Sequence, residues 1–223
     1  MKLKTKFTLF TLFLMLNIAS ITITDNASSF IGIESLMTTY NEERGRVAIS
    51  LLTLNLGLAS IIMVNLITKI TNLFVYAEYI ITRASKFIFL KQLTIEIIKT
   101  VSLIALIKVV TDVVLYTLSD YYTYSIEIVF ISFSYLTTFI LWAGILVLLI
   151  MFRVKRSTSF FITICSYMLF QIFSHNSVLL SIFVIASSQY KEHICLLSVG
   201  KIVIISFIFL ITYNKIKKYD LIA

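Results

Sequence analysis

The sequence predicts an all-α membrane protein, a polytopic bundle of six transmembrane helices with a short re-entrant or interfacial helix before the last. The chain has 223 residues, of which 59% are hydrophobic and 13% charged, whereas soluble domains are about half apolar and a quarter charged. Lys and Arg residues concentrate in alternate connecting segments. Stretches of spanning length recur six times, at about 7–23, 47–75, 92–118, 126–152, 158–176 and 194–213. These observations predict one transmembrane domain over residues 1–223.

The first stretch follows the basic start Lys2, Lys4 and Lys6. A basic start, an apolar run and small residues are also the marks of a secretory signal peptide. We favour an uncleaved membrane anchor, because the rest of the chain is itself rich in predicted spans. The signal-peptide alternative stays open at this point.

The second stretch, 47–75, is longer than a bilayer core of about 30 Å requires, so we expect it to tilt or protrude. A polar segment, 76–91, separates it from the third stretch. After the fourth and fifth stretches comes an apolar run, Val178–Ala186, that is too short to cross. We interpret this run as a re-entrant or interfacial helix.

The distribution of positive charge predicts orientation. Four segments, 2–6, 83–91, 153–156 and 215–218, hold twelve of the 19 Lys and Arg residues, whereas 24–46 and 176–193 hold three. Cytoplasmic connections carry the excess of Lys and Arg in membrane proteins. The sequence therefore predicts six crossings of a bacterial cell membrane, with both termini cytoplasmic.

Several functional classes find little support in the residues. The net charge of +8 lies in short clusters between apolar runs, which does not favour nucleic-acid binding. Two cysteines and two histidines form no disulfide framework and no recognisable metal-ligand spacing. No phosphate-binding loop of the form GxxxxGK[ST] occurs. We predict no cofactor and no enzymatic activity in this chain, so any ATP hydrolysis would come from a partner.

One charged pair lies deep in the third stretch. Lys108 and Asp112 are four residues apart and therefore share a helix face. A lone charge at that depth would cost about 2.5–3.5 kcal/mol on insertion scales. A structural ion pair is the simpler interpretation, and a pair that lines a polar path or exchanges partners between two states is the alternative.

The polar segment 76–91 is the second candidate site. It combines charged and aromatic side chains next to a predicted membrane exit, and its candidate partner-docking residues are Glu78, Tyr79, Arg83, Lys86 and Lys91. A basic loop held by anionic lipid headgroups is one interpretation. A short two-faced helix on the inner surface, available to a soluble partner, is the other.

The order of these parts resembles the membrane subunit of a bacterial ABC-2-type transporter. The resemblance rests on Glu78–Tyr79, Arg83, Ser85–Lys86 and Phe89–Lys91 and on the basic tail Lys217–Lys218–Tyr219–Asp220, which is similar to endings of small Gram-positive permeases of bacteriocin or lantibiotic export and immunity systems. It covers the whole chain in topology. It implies a cytoplasmic ATP-binding subunit docked on 76–91, a second permease subunit and a peptide or amphiphile as substrate.

A protein of another class stays open: a non-transporting membrane immunity or sensor protein that binds a peptide or partner helix in the bilayer. Its sensitive residues would lie in the outer segments. At the outer end of the fifth stretch, Gln171, His175 and Asn176 share one helical face. We expect a hydrated helix end there rather than a ligand site.

Overall fold

The fold of the described residues is helical. The computed structural model describes residues 8, 11, 15, 40–41, 46–47, 49–77, 80–81, 85–118, 127–174, 177–184 and 193–217. In chain order the helices are α1 (Ile49–Val75), α2 (Lys86–Leu118), α3 (Glu127–Met151), α4 (Arg156–Phe173), α5 (Val178–Ser181) and α6 (Ile194–Lys217). Thr8, Thr11 and Met15, from the first predicted stretch, are also helical. The all-α prediction is confirmed for this part of the chain, apart from one small ladder.

That ladder joins β1 (Tyr40–Asn41) to β2 (Arg46–Val47) in antiparallel register, with Tyr40 opposite Val47. The pattern of apolar stretches does not predict this ladder. Two residues per strand make a local antiparallel pairing just before α1.

The helices extend beyond some of the predicted apolar stretches. α2 begins at Lys86 rather than near residue 92, and α6 continues to Lys217 rather than 213. Lysine is a good helix former, so a helix need not stop where the apolar run stops. Ser85 fixes the start of α2, because its Oγ accepts a hydrogen bond from the Ile88 backbone N–H at 3.2 Å.

α1, α2 and α3 form consecutive antiparallel pairs. The Phe74 and Phe89 rings lie 5.5 Å apart across the α1–α2 turn, and Lys69 contacts Glu96 farther from it. α2 and α3 also pack together, and only eight residues join them. Eight residues span at most about 29 Å, less than the roughly 37 Å length of α3, so these helices must run in opposite directions.

α3 and α4 reverse through a tight turn. Arg153 adopts a positive φ of 63°, its N–H bonds the Ile150 carbonyl, and the Val154 N–H bonds the Leu149 carbonyl. This pattern is a Schellman motif, which ends a helix on one left-handed residue. The turn places Arg153, Lys155 and Arg156 together at one end of the bundle.

α6 runs parallel to α3. Three contacts progress in the same direction along both helices: Lys201 with Ser134, Ile208 with Gly144, and Lys215 with Phe152. A side chain on Gly144 would approach the Ile208 Cγ2 atom to 3.1 Å, so glycine permits close helix packing there. α4 and α6 therefore have opposite directions. The connection between them contains α5, and it begins and ends at the same end of the bundle.

α3 is the central helix of the bundle. It packs against α1, α2, α4 and α6, and its side chains Phe139, Leu141 and Leu146 are fully buried. Two apolar stretches among the described residues are long enough to cross a bilayer by length and composition, Ser132–Met151 in α3 and Ile194–Ile216 in α6, and Ala59–Val75 is a shorter apolar helix. These two candidate spans suggest membrane association, and the six-crossing topology stays a prediction.

Candidate functional site

The polarity of α4 is inverted relative to a helix of a soluble bundle. Its buried residues all carry polar atoms and follow one another at four-residue spacing: Ser159, Thr163, Tyr167 and Gln171. Its outward face is apolar and exposed, including Phe161 at 64% and Leu169 at 54%. Residues four apart share a helix face, so the sequence pattern itself creates this stripe and the tertiary packing turns it inward.

Other helices contribute to the same kind of interior. We use "polar interior" for the stripe of α4 together with the buried polar residues of α3, α6 and the segment 174–184. These further members are Ser134, Thr137, Thr138, Ser174, Ser181, Ser198, Lys201 and Thr212.

Lys201 is the charged member of the polar interior. Its side chain is completely buried, and Nζ donates a hydrogen bond to the Ser134 Oγ at 2.7 Å. A lysine at the centre of an apolar helix costs about 2.5–3.5 kcal/mol on insertion scales, so its ammonium group must find partners inside the protein. The contact also fixes the register of α6 against α3.

The segment 177–184 enters the bundle beside the middle of α3. After the single turn of α5, the Phe183 carbonyl accepts a hydrogen bond from Trp142 Nε1 at 2.7 Å, and the Val184 carbonyl accepts one from Thr138 Oγ1 at 3.1 Å. Val184 is fully buried. Non-helical backbone away from water needs such partners. Of the run predicted as a short helix, 178–186, the described residues form the four-residue α5, and the following residues up to Val184 are held inside the bundle.

Aromatic packing surrounds this insertion. Trp142 contacts Tyr167 at 5.6 Å in an edge-to-face arrangement and Phe170 at 5.7 Å, and Phe170 lies 4.8 Å from Phe183. The Tyr167 hydroxyl is buried and has no hydrogen-bond partner among the described residues. Buried hydroxyls are usually paired, so the Tyr167 hydroxyl is an unusual feature of the polar interior.

A second arrangement, the Lys69 cleft, lies between α1 and α2. It is an open cleft of about 460 Å³ lined by Lys69, Asn72, Leu73, Tyr76, Ile80 and Glu96. Lys69 Nζ lies 2.9 Å from Glu96 Oε2 and donates a hydrogen bond to Thr100 Oγ1, also at 2.9 Å. The Lys69 and Glu96 side chains are 39% and 30% exposed, so both charges face an accessible space.

The predicted docking segment is only partly described. Glu78, Tyr79 and Arg83 lie outside the described residues. Lys86 and Lys91 belong to the first turns of α2 rather than to a separate loop, with Lys86 half-buried and Lys91 exposed. Their docking role stays a prediction.

The pairing of Lys108 with Asp112 stays a prediction. Both residues lie in α2, and their side chains are outside the described part. Glu96, also in α2, pairs with Lys69 of α1. Gln171, expected at a hydrated helix end, is buried at 2% exposure, so that expectation is wrong. His175 and Asn176 lie outside the described residues.

Sequence reasoning missed Lys69 and Lys201. Each is a single cation within an otherwise apolar stretch, and an ionisable residue in such a place is a functional candidate by default. That signal was present in the sequence. Glu96 lies 27 positions from Lys69, and Ser134 lies 67 positions from Lys201, so neither partner could be read from the local sequence.

The described residues hold no group of three or more potential metal-ligating side chains, and Cys165 and Cys195 are free and exposed. Comparison of the chain with protein-family models, curated proteins and solved structures finds no match. Functional inference therefore rests on the chemistry of the polar interior and the Lys69 cleft.

Proposed function

We propose that this chain is a multi-pass protein of the bacterial cell membrane, with six crossings and both termini cytoplasmic, and the permease-like subunit of an ATP-driven transporter. Its substrate is a peptide or amphiphile. The observation that carries the proposal is the inverted polarity: the buried face of α4 is polar, while its outward face and that of α6 expose large apolar side chains such as Phe161 and Phe207. A bundle with this distribution suits lipid outside and a polar route inside.

The placement of basic residues supports the orientation. The α3–α4 turn carries Arg153, Lys155 and Arg156, and Lys215 lies over the Phe152 ring at the same end. Because α2 and α3 are antiparallel, Lys86 at the start of α2 belongs to this end too. Positive charge on one side favours a cytoplasmic assignment for it.

The α1–α2 hairpin supports coupling to a partner. Ala77 and Phe89, on either side of the turn, are buried in the hydrophobic core, so a force on the turn acts on both helices. α1 also packs against α3 and α4. Closure of cytoplasmic ATP-binding subunits on 76–91 would tilt α1 and α2 and open the polar interior formed with α4.

Copurification tests this proposal. The full-length chain, solubilised in mild detergent from its native cells, is expected to retain an ATPase with a phosphate-binding loop, and a second copy or related permease subunit. Reversing charge at the docking segment with Arg83→Glu and Lys86→Glu should reduce recovery of the ATPase about tenfold or more, a loss of at least roughly 1.4 kcal/mol in binding free energy.

The matched control is Lys155→Glu. This residue is exposed and lies at the same end of the bundle but in the other turn, so recovery of the ATPase should stay close to that of the unaltered chain. Failure to recover an ATPase, or equal recovery with all three variants, contradicts the transporter proposal. Protection of cells against a membrane-active peptide without any ATPase would identify the immunity or sensor class instead.

A further inference from the structure

The Lys69 cleft presents two opposite charges to one accessible space. The Lys69 ammonium has three hydrogen-bond donors, and among the described residues it uses two, for Glu96 and Thr100. The Glu96 carboxylate can accept several hydrogen bonds, and its side chain is 30% exposed. Both groups therefore keep capacity to bind a ligand.

The position of the cleft along the helices corresponds to a lipid headgroup region in the proposed topology. Lys69 lies about two helical turns before Val75, the last residue of α1, and Glu96 lies in the half of α2 that begins at the basic end of the bundle. Tyr76, which lines the cleft, is 63% exposed, and tyrosine is typical of membrane interfaces.

The other walls of the cleft suit acyl chains. Leu73 and Ile80 provide apolar lining, and exposed apolar side chains stand beside the cleft residues on both helices, Val75 on α1 and Ile95 on α2. A volume of about 460 Å³ lies within the usual range of small-molecule sites, roughly 300–1,000 Å³. The ligand that fits is an amphiphile with a compact polar head.

We infer that the Lys69 cleft is a binding site for a zwitterionic phospholipid with a primary-ammonium headgroup, phosphatidylethanolamine. The lipid ammonium donates hydrogen bonds to Glu96, and the lipid phosphate accepts from the remaining Lys69 N–H and from Asn72 or Tyr76. A two-carbon bridge separates ammonium from phosphate, so one headgroup reaches both members of the ion pair.

Charge and hydrogen bonding distinguish this ligand from other headgroups. An anionic glycerol headgroup would bring a phosphate to Lys69 but nothing to neutralise Glu96. A choline headgroup has the charge but no N–H donor for the carboxylate, and charge-assisted hydrogen bonds are about twice as strong as neutral ones. The inference rests on the membrane location in the proposed function and is independent of an ATPase.

Native mass spectrometry of the purified full-length chain tests the site. The chain is titrated with phosphatidylethanolamine, phosphatidylcholine and phosphatidylglycerol of identical acyl chains. We expect phosphatidylethanolamine to bind about tenfold more tightly than either of the others, the effect of roughly one charge-assisted hydrogen bond. Glu96→Gln should remove the preference over phosphatidylcholine, and Lys69→Gln should weaken all three phospholipids.

One further pair of variants and one single substitution control for folding. Leu73→Trp fills the cleft without changing charge and should reduce binding of all three lipids, whereas Leu169→Trp on the exposed face of α4 should not. Lys99→Gln removes an exposed lysine of α2 outside the cleft lining and should leave the preference intact.

Equal binding of phosphatidylcholine, tighter binding of phosphatidylglycerol, or equal effects of the two tryptophan variants would overturn the inference. The outcome is separable from that of copurification. Selective lipid binding without a copurifying ATPase would support the lipid site and contradict the transporter proposal. A copurifying ATPase without lipid selectivity would support the transporter proposal and contradict the lipid site. A chain that stays soluble without detergent rejects both.

Discussion

Two lysines in this molecule illustrate two uses of a cation in a helical bundle. Lys69 and Lys201 each donate a hydrogen bond to a hydroxyl on a neighbouring helix, Thr100 and Ser134, at 2.9 and 2.7 Å. Lys69 is 39% exposed and paired with Glu96, whereas Lys201 is completely buried. Partly exposed charges contribute little to stability, so the Lys69 cleft can serve binding. Buried polar contacts are costly to lose, so the Lys201 contact serves as a structural element.

A similar contrast holds between two groups of aromatic residues. Trp142 is 2% exposed and joins α3, α4 and the segment 177–184 through ring contacts and one hydrogen bond. Phe74 and Phe89 make one edge-to-face contact across the α1–α2 turn, and Phe74 is only partly buried. We therefore expect the region around α3 to be more rigid than the α1–α2 hairpin.

The largest expected effect is at Trp142. Trp142→Ala removes a buried indole and its donor to the Phe183 carbonyl, and should lower the free energy of unfolding by about 3–5 kcal/mol. Trp142→Phe keeps most of the ring and should cost about 1–3 kcal/mol through the unpaired carbonyl. Titration with a denaturing detergent, followed by circular dichroism, measures both. Phe74→Ala is the comparison, and a loss as large as that of Trp142→Ala would contradict the expected difference in rigidity.

An intermediate effect is expected from removing the hydroxyl partner of each lysine. Ser134→Ala takes an acceptor from a buried ammonium and should cost about 1.5–3 kcal/mol, the usual contribution of a hydrogen bond to a charged group. Thr100→Val preserves side-chain shape and should cost less than about 1 kcal/mol, because Lys69 keeps Glu96 and some solvent access. The same unfolding titration compares them.

Ser206→Ala is the control for these two variants. Its hydroxyl is exposed and bonds only within its own helix, to the Ile202 carbonyl, so we expect a change within about 0.5 kcal/mol. A Thr100→Val cost equal to that of Ser134→Ala would show that exposure does not separate the two lysines.

The smallest expected effect on stability is at the partly exposed Lys69–Glu96 ion pair. Lys69→Gln and Glu96→Gln should each change the free energy of unfolding by about 0–1 kcal/mol. These are also the variants expected to alter phospholipid selectivity. A loss of unfolding free energy above roughly 2 kcal/mol is typical of mutations that remove a structural contact. Such a loss would indicate that the ion pair holds α1 to α2. Thermal unfolding of the purified variants in detergent provides this measurement.

Much of the helical organisation was predictable from sequence. Both ends of α1 and of α3 lie within two residues of the predicted stretches. Long apolar runs without proline favour an uninterrupted helix. The early start of α2 at Lys86 was not predicted, because the stretches were placed by hydropathy. Hydropathy reports which residues favour lipid, whereas lysine favours the helical conformation even outside an apolar run. The inward face of α4 could have been anticipated, because Ser159, Thr163, Tyr167 and Gln171 recur every four residues.

The sequence by itself determined the approximate positions of the long helices, where positive charge gathers and that no phosphate-binding loop is present. Only the tertiary structure decided that α6 packs directly against α3, that Lys201 meets Ser134, and that Lys69 pairs with Glu96 beside an open cleft. Helix formation depends on neighbours within a few positions along the chain. Side-chain partners are selected by the packing of helices that are distant in sequence, and no local pattern encodes that packing.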